Sequence, residues 1–390
     1  MTTNTAEPQP EMTADDRREL FEIPDDVTYL NCANMSPQLR SVTQVGVAAV
    51  SGKASPWTVR PEDWFAPTER LRTLFARIIN GDPDGVAIVP SVSYGIAVAA
   101  ANLPVASGQS IVLLDGEFPS NVYAWHDLAR RRAAVVRTVA RPSTSAWTDA
   151  LIDAIDSTTA VVSVPNCHWT DGRLVDLPRV AAAARRAGAA LVIDGSQSVG
   201  AYSLDVATIE PDFLVTVGYK WLLGPYGLAY LYIAPRWRRS GVPLEHSWLT
   251  RAGAEDFTCL TDYSDNFRQG ARRFDMGEFP QFVLTAMAIA ALEQVLEWSV
   301  DRVQKVISAL TSRAEEGVRN AEGDAVRGTD RVGHLIGIRP RAGVRRDLIS
   351  ALTGAKVYVS VRGDAIRVAP HLYNTGADIE RLLDVLRAHS

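Results

Sequence analysis

The sequence predicts an α/β protein with a mainly parallel sheet in a large domain and a smaller α+β domain at the C-terminus. Between residues 85 and 233, short apolar runs alternate with amphipathic helical patterns. Apolar runs spaced by helices are typical of βα units whose sheet is covered on both faces. After residue 276, two long helical patterns precede a short stretch that mixes strand and helix patterns. With 390 residues, 47% of them hydrophobic, the chain is long enough to bury a core in two lobes.

The elements of the large domain follow one another regularly along the chain. The apolar runs that predict strands are residues 85–89, 110–115, 133–139, 159–165, 190–194, 211–217 and 227–233. The helical patterns between the first five of these runs are residues 91–103, 121–132, 146–155 and 177–188. We therefore expect a seven-stranded sheet.

The rest of the chain divides by composition and periodicity. A further helical pattern covers 38–50, and the long helical patterns cover 282–318. Mixed patterns fill 334–389, with strand patterns at 334–339, 356–361 and 365–369. The predicted parts are a flexible N-terminal arm (1–20), a segment that joins the small lobe (21–60), a large domain (61–275) ending in an active-site loop (236–275), and long helices with the small domain (276–390).

Charge and composition exclude several classes of protein. The formal net charge is −5, and no long tract rich in lysine and arginine occurs, so we expect no nucleic-acid partner. No run of 18 apolar residues and no signal-peptide pattern is present, which argues against a membrane span or secretion. Cys32, Cys167 and Cys259 lack the spacing of metal or disulfide sites. A cytoplasmic protein without a metal is predicted.

Lys220 is one of only four lysines, against 36 arginines. It follows the predicted strand 211–217, and Asp194 ends the predicted strand 190–194. Open α/β sheets bind ligands at the carboxyl ends of their strands. A lysine that forms a Schiff base and a carboxylate that pairs with a pyridinium nitrogen are what pyridoxal 5'-phosphate requires. A turn lysine on the surface is the alternative reading, but the preference for arginine elsewhere disfavours it.

The stretches VIDGSQSVGAYSLDV (192–206) and PDFLVTVGYKWLLGPYGLAYLYI (211–233) resemble the class V aminotransferase family of pyridoxal phosphate enzymes. That family includes kynureninases, isopenicillin N epimerase-like proteins and cysteine desulfurases. The similarity extends from about Tyr29 to the C-terminus. It implies the fold type I architecture of PLP-transferases, pyridoxal 5'-phosphate as cofactor, an amino-acid substrate and a homodimer.

The resemblance also implies roles for residues around the cofactor ring. Lys220 would hold the cofactor and move a proton, and Asp194 would pair with the pyridine nitrogen. Gln197 would donate to the phenolic oxygen, and Phe118 would stack on the ring. His168 and Trp169, in a loop after strand 159–165, are candidates for contact with cofactor or substrate.

Phosphate and carboxylate groups require donors. The turn PSVSYG (90–95) opens a helix, whose positive end suits a phosphate. The phosphate candidates are Ser91, Ser93, Tyr94 and, by resemblance to kynureninases, Tyr219. Arg367 falls where the family grips the α-carboxylate of an amino acid, since a planar guanidinium binds carboxylates through two hydrogen bonds. Asn374 follows it in the next turn as a further substrate-side candidate.

The loop 245–269 is rich in aromatic and polar residues, and we expect it to line the substrate entrance. Its specificity candidates are His246, Trp248, Tyr263 and Asn266. The following segment, 270–282, matches one that crosses the dimer interface in relatives. Its charged residues are interpreted as structural ion pairs at an interface: Arg272, Arg273, Asp275 and Glu278.

Fold and cofactor leave the reaction open. Transamination and β-elimination from a cysteine-type conjugate are favoured equally, in specialised metabolism, with epimerisation or decarboxylative oxidative deamination as alternatives. A persulfide-forming desulfurase is disfavoured because the stretch before Arg367, YVSVRGDAIRV (358–368), contains no cysteine. The alternative from another class is a non-catalytic protein that binds the cofactor and regulates a partner.

Overall fold

The computed structural model describes residues 14–142, 146–320 and 323–389. The strands, in chain order, are β1 (Thr28–Tyr29), β2 (Val86–Val89), β3 (Ser110–Leu114), β4 (Val135–Val139), β5 (Thr159–Pro165), β6 (Ala190–Asp194), β7 (Phe213–Val217), β8 (Ala229–Ile233), β9 (Asp324–Ala325), β10 (Ile336–Arg339), β11 (Val357–Tyr358), β12 (Ser360–Arg362) and β13 (Ala365–Val368). The α-helices are α1 (Ala14–Glu19), α2 (Arg40–Gly52), α3 (Ala66–Ile78), α4 (Val92–Asn102), α5 (Tyr123–Arg132), α6 (Trp147–Ala154), α7 (Leu177–Ala187), α8 (Val206–Ile209), α9 (Pro235–Arg238), α10 (Phe282–Trp298), α11 (Val300–Asn320), α12 (Arg346–Gly354) and α13 (Gly376–Ala388).

A seven-stranded sheet forms the centre of the large domain, as predicted. Its order is β2-β8-β7-β6-β5-β3-β4. Strands β7, β6, β5, β3 and β4 run parallel to one another, and β8 is antiparallel to both of its neighbours. Because β2 is antiparallel to β8, its carboxyl end lies at the same edge of the sheet as those of the parallel strands. The start of β8 also lies at that edge.

Both faces of this sheet are covered, which explains why its strands read as continuous apolar runs. Alternate residues of each strand enter one of two hydrophobic clusters. One cluster contains buried residues of α4 and α5, and the other contains residues of α2, α3, α6, α7 and α10. The α/β prediction is therefore confirmed, with helices on both sides of the sheet.

The C-terminal part of the chain builds a second, smaller core. A four-stranded sheet has the order β12-β13-β10-β9, and its buried residues pack against α11, α12 and α13. The short strand β1 pairs in parallel with β11, so the N-terminal segment contacts this part of the molecule. The domain boundaries themselves stay a prediction.

The structure corrects three expectations. Residues 14–19, expected in a flexible arm, form α1, where the Arg18 side chain donates to the carbonyl oxygens of Tyr373, Pro24 and Val27. The helix α3 was not predicted, although it is amphipathic and buries one face. The run 356–361 forms two strands, because β11 pairs with β1 and β12 with β13. Residues 1–13 lie outside the described part of the chain.

Two of the four charged residues predicted as ion pairs in the segment 270–282, Arg272 and Asp275, make ion pairs within the chain. Asp275 is fully buried and holds Arg72 through two hydrogen bonds of 2.9 and 2.5 Å. Arg272 pairs with Glu69 and Asp84, whereas Arg273 donates to the carbonyl oxygen of Gly241. Glu278 has no ion pair within the described chain. Whether this segment lies at an interface stays a prediction.

No single described helix is long and apolar enough to cross a membrane. Helices α10 and α11 meet that requirement only when they are taken together, and they meet at a 75° bend.

Candidate active site

A cavity of about 280 Å³ lies at the edge where the sheet strands end. Its wall is built by the segments that follow β2, β3, β5, β6 and β7 and by the turn before β8. This is the position at which open α/β sheets bind ligands. The lining residues include eight of the predicted site residues: Ser91, Ser93, Phe118, Trp169, Asp194, Gln197, Tyr219 and Lys220.

Asp194, the last residue of β6, lies buried at the floor of this cavity. The backbone N–H of Ser196 donates to Oδ1 at 2.9 Å, and no cation lies in ion-pair contact with the carboxylate within the described residues. Burial is the main cause that raises the pKa of the Asp194 carboxyl, and the positive charge of Lys220 opposes it. A buried carboxylate without a cation partner is suited to pair with a protonated ring nitrogen.

Lys220 follows β7 and is also buried. Burial lowers the pKa of its amine to about 8, against the opposing effect of Asp194. Its neighbour Trp221 is buried and donates from Nε1 to Oε1 of Gln197 at 3.1 Å, which ties the lysine loop to the loop after β6. At Gly200, φ is +102° and a Cβ would lie 2.5 Å from the Trp221 carbonyl oxygen, so only glycine fits there. The amine is therefore held in place and is a usable nucleophile near neutral pH.

Gln197 lines the cavity, but part of its amide is already bonded to protein. Its Nε2 donates to the carbonyl oxygen of Ala33 at 3.0 Å, and its Oε1 accepts from Trp221. An amide nitrogen carries two N–H groups, so one remains for a ligand oxygen.

The predicted phosphate residues divide into two groups. Ser91 caps α4, and its hydroxyl lies 2.9 Å from that of Ser93 at the cavity wall. Tyr219 also lines the cavity and packs on Tyr226, with ring centroids 4.5 Å apart. Tyr94 is outside the lining, because successive helix residues point in directions about 100° apart and its side chain lies near Glu245. The structure thus brings both serines, but not Tyr94, to the cavity.

Phe118 and Trp169 form an aromatic cover beside Lys220. The Lys220 Nζ lies 5.5 Å from the centroid of the Phe118 ring, which is 37% exposed although it is apolar. Trp169 stands edge-on to Phe118 at 5.4 Å and donates from Nε1 to the Gly116 carbonyl oxygen at 2.8 Å. An exposed phenylalanine at the mouth of a polar cavity is suited to stack on a flat ring.

His168 lies behind the cavity wall. Its Nδ1 bonds the Thr170 hydroxyl at 2.6 Å, its Nε2 lies 3.3 Å from the Asp115 carbonyl oxygen, and its ring packs on Trp147. Burial lowers the pKa of the imidazole to about 4. The ring is therefore neutral near pH 7, and its contacts support the loop that carries Trp169.

Arg367, in β13, is 1% exposed, and its Nη1 donates to the Trp169 carbonyl oxygen at 2.9 Å. Its Nε and Nη2 have no hydrogen-bond partner among the described residues. Burial, reinforced by the charge of Arg362, lowers the pKa of the guanidinium to about 9. Nε and Nη2 form the edge that binds a carboxylate through two parallel bonds. This edge is unpaired but buried, and Arg367 lies behind Trp169 without lining the cavity itself.

Besides Asn266, four substrate-side candidates lie away from the cavity. His246, Trp248 and Tyr263 line a separate surface cavity of about 300 Å³. Asn374 is buried outside both cavities, where its Oδ1 accepts from the His371 N–H at 3.0 Å and its Nδ2 donates to Asp378 at 3.3 Å. Within this chain, none of the four is brought to Lys220. Asn374 instead shapes the turn that follows Arg367.

Ten lining residues were not predicted as site residues, and Glu117, Cys167 and Tyr226 are the three among them with an ionisable side chain. Glu117 directly precedes Phe118, so the same motif could have identified it. Its Oε1 accepts from the Phe118 N–H at 2.6 Å, and its buried Oε2 has no hydrogen-bond partner among the described residues. Burial, with the nearby Asp194 carboxylate as the second cause, raises the pKa of the Glu117 carboxyl to about 8. Glu117 is therefore protonated near pH 7 in the folded chain.

The raised pKa of Glu117 predicts how the stability of the cofactor-free protein depends on pH. Between pH 4.5 and about 8, the folded protein keeps a proton that the unfolded chain has lost, so the free energy of unfolding falls as pH rises. The loss levels off above pH 8 and amounts to a few kcal/mol, on the order of the shift itself. Glu117→Gln should flatten this slope in denaturant titrations from pH 5 to 9. An unchanged slope would contradict the assignment.

The residues around the cavity fit pyridoxal 5'-phosphate. Asp194 is a buried carboxylate without a cation partner, and the buried amine of Lys220 lines the same cavity. The hydroxyls of Ser91 and Ser93 at the start of α4 form a candidate phosphate site. Asp194 would hold the ring nitrogen, Lys220 the aldehyde carbon and Phe118 the ring face. The unpaired edge of Arg367 completes the set with a place for a carboxylate.

Comparison with known proteins agrees with this fit. Residues 60–382 match the family model described as aminotransferase class-V. The chain is 27% identical to YcbU, an uncharacterized aminotransferase of Bacillus subtilis, over 90% of this chain and 95% of that one. It is 25% identical to isopenicillin N epimerase of Amycolatopsis lactamdurans, covering 95% and 97%. The apo cysteine desulfurase of Thermococcus onnurineus NA1 shares the fold, with a TM-score of 0.84 at 19% identity, covering 96% and 97%.

The family match covers far more than half of the chain, and it includes every segment that lines the cavity. It confirms the predicted family and cofactor, the structural similarity confirms the predicted fold, and together they indicate an enzyme. The chain belongs to the class V aminotransferase family and is a pyridoxal 5'-phosphate-dependent enzyme.

Proposed function

We propose that this enzyme transaminates an L-amino acid, with its chemistry at Cα. The observation that carries the proposal is the position of Arg367. Its unpaired guanidinium edge is joined to the cavity through Trp169, which lines the wall next to Phe118 and Lys220. An α-carboxylate held at Arg367 directs the amino group and Cα towards Lys220 and the cofactor.

Each residue has a definite task in this reaction. The bound cofactor supplies an electron sink for the bond that breaks at Cα. Lys220 takes the proton from Cα and returns it on the cofactor side, which a buried amine with a lowered pKa is suited to do. Asp194 holds the positive charge of the ring nitrogen. Phe118 and Trp169 exclude water from one side of the cavity.

The cysteines favour transamination over a persulfide-forming reaction. Cys32 and Cys167 are buried, and burial raises the pKa of the Cys167 thiol to about 12 and that of Cys32 further. Neither is therefore a thiolate nucleophile at neutral pH. Cys259 is exposed and lines the separate cavity with His246. The relative YcbU, matched over 95% of its length, is described as an aminotransferase, which supports the same reaction.

β-Elimination from a cysteine conjugate is the alternative that the same residues serve, since it also begins with loss of the Cα proton to Lys220. The test is to mix the holoenzyme with a panel of L-amino acids and cysteine S-conjugates while recording the cofactor absorbance. If the enzyme transaminates, the visible absorbance band of the lysine-bound cofactor should disappear when the amino acid is added and return when a 2-oxo acid is added. A persistent band with release of thiol and ammonia identifies β-elimination. No change with any compound would overturn action on L-amino acids.

A further inference from the structure

A second arginine lies beside Arg367 on the same face of the β12–β13 hairpin. In the register of this antiparallel pair, Ser360 is opposite Arg367 and Arg362 is opposite Ala365. Residues directly opposite each other, and those two positions away along a strand, point to the same face. The side chains of Arg362 and Arg367 are therefore diagonal neighbours, and diagonal positions are about 7–8 Å apart.

Arg362 does not line the cavity itself but contacts Trp169, which does. Its guanidinium carbon lies 5.6 Å from the centroid of the Trp169 indole, on the ring that lines the cavity. Its Nη1 donates to the Val361 carbonyl oxygen at 2.8 Å, and its Nη2 makes a long contact of 3.4 Å with Oδ1 of Asn34. Its Nε is buried and has no hydrogen-bond partner among the described residues.

Neither arginine has an ion pair with a carboxylate of the described chain, unlike Arg272 of the 270–282 segment. The charge of Arg362 contributes to lowering the pKa of both Arg367 and Lys220, so the three cations lie within electrostatic reach of one another. Like charges on neighbouring positions of a sheet face destabilise the fold. A site that keeps two such cations uncompensated is complementary to two anionic groups.

One carboxylate does not account for both arginines. Arg367 is anchored at the carbonyl oxygen of Trp169 and offers the complete Nε–Nη2 edge, which one carboxylate fills. Arg362 lies on the indole face of the same tryptophan. Arg367 thus contacts the backbone of Trp169, whereas Arg362 contacts its indole ring. A ligand that binds both guanidinium groups needs anionic groups at two separate positions.

We propose that the substrate is an L-amino acid with a second anionic group, a carboxylate or another oxyanion, on its side chain, and that Arg362 binds this group. This inference rests on the proposed function, because it assumes that Arg367 holds the α-carboxylate. Arg362 is then the residue that separates acidic from neutral amino acids at this site.

The test measures binding and turnover with the holoenzyme. Calorimetric titration with malonate, succinate, glutarate and adipate, each compared with the monocarboxylate of equal length, shows whether a second anion improves binding. We expect at least one dicarboxylate to bind roughly 10-fold tighter than its monocarboxylate, the range for a charged hydrogen bond. Arg362→Gln should abolish this preference, and Arg362→Lys should keep part of it. Arg319→Gln, at an exposed arginine of α11, is the matched control and should keep it all.

Turnover gives the second readout. The ratio of kcat/KM for L-glutamate over L-glutamine, and for L-aspartate over L-asparagine, should favour the acid in the wild type for at least one pair. Arg362→Gln should lower that ratio roughly 10-fold or more, since it removes a charge-assisted bond made only by the acid.

The outcomes separate this inference from the function on which it rests. If no amino acid reacts but a dicarboxylate still binds in an Arg362-dependent manner, the proposed function fails and the anion site stands. If neutral amino acids react and no dicarboxylate is preferred, the function stands and this inference is overturned. It is also overturned if Arg362→Gln weakens acidic and neutral ligands equally, since both arginines would then hold one carboxylate. A changed oligomeric state without a changed preference would assign Arg362 to subunit contact and overturn it.

Discussion

Lys220→Arg is expected to lower turnover by at least about 10³-fold, because a guanidinium neither forms an imine nor gives up its proton near neutral pH. The amine of Lys220 is buried, and its pKa is lowered to about 8, so a part of it is uncharged at pH 7. Arginine would put a permanent charge at the same place. The purified variant should also lack the visible absorbance that pyridoxal 5'-phosphate shows when it is linked to a lysine.

A covalent readout makes this prediction specific. Borohydride reduction of the wild-type holoenzyme should attach the mass of the cofactor to the peptide that contains Lys220, and reduction of Lys220→Arg should not. Lys356→Arg is a suitable control, since Lys356 is an exposed lysine that pairs with Asp26 and is distant from Lys220 in the sequence. Turnover or a cofactor-labelled peptide in Lys220→Arg would show that another amine holds the cofactor.

The strands of the large sheet could be predicted because six of the seven are buried on both faces and all are bounded by turn residues; the edge strand β4 is partly exposed. All seven predicted runs overlap a strand, and Asp194 and the segment before Lys220 lie at the strand ends as expected. Position in a parallel sheet decides which residues meet, so a lysine and an acid 26 residues apart converge without any local signal. The helix α3 was not predicted, although its apolar residues recur with a helical period, and no physical feature of the sequence explains this difference.

Other features depend on contacts that periodicity does not encode. The pairing of β1 with β11 joins residues more than 300 positions apart, and it splits a run that reads as one strand. The loop 245–269 has no periodicity, so the sequence does not indicate which way its aromatic side chains point. His246 and Trp248 lie at another cavity. Tyr94 shares a motif with Ser91, but the turn of the helix points it elsewhere.

The position of Arg362 beside Arg367 follows from the strand pattern, although Arg362 was not predicted as a site residue. In the stretch 358–368, the absence of a cysteine disfavours a persulfide-forming desulfurase and Arg367 is the predicted carboxylate ligand, whereas Arg362 has no predicted role. Strand alternation on both sides of the short turn at Gly363 would place Arg362 and Arg367 on one face. What the sequence alone does not contain is the lack of a carboxylate partner for either side chain, because many ion pairs in this chain, such as those of Arg272, join residues distant in sequence.

Arg367→Gln is the second change with a large expected effect. It should lower kcat/KM for amino acids roughly 10²- to 10³-fold, since it removes two charge-assisted hydrogen bonds worth about 3–4 kcal/mol together. Arg367→Lys keeps the charge but loses the planar edge, so it should fall between the wild type and Arg367→Gln. Affinity for free pyridoxal 5'-phosphate should change far less if Arg367 binds the substrate carboxylate, because Arg367 does not line the cavity that fits the cofactor. Equal losses for amino acids and for cofactor would place Arg367 at the cofactor instead.

Although Arg367→Gln should lower kcat/KM, it should not lower the stability of the substrate-free protein. In the substrate-free protein, Arg367 is a buried cation with two unpaired nitrogens, and burial lowers the pKa of its guanidinium to about 9. Burying a charge without a partner costs free energy of folding, so glutamine at this position should leave the denaturation midpoint unchanged or raise it. A residue that served only to hold the small domain on the Trp169 loop would behave differently, because its loss would lower the midpoint as well as the rate. Loss of kcat/KM with retained or increased stability is therefore the combination expected of a cation kept for its ligand, and measuring both on one preparation decides between the two roles.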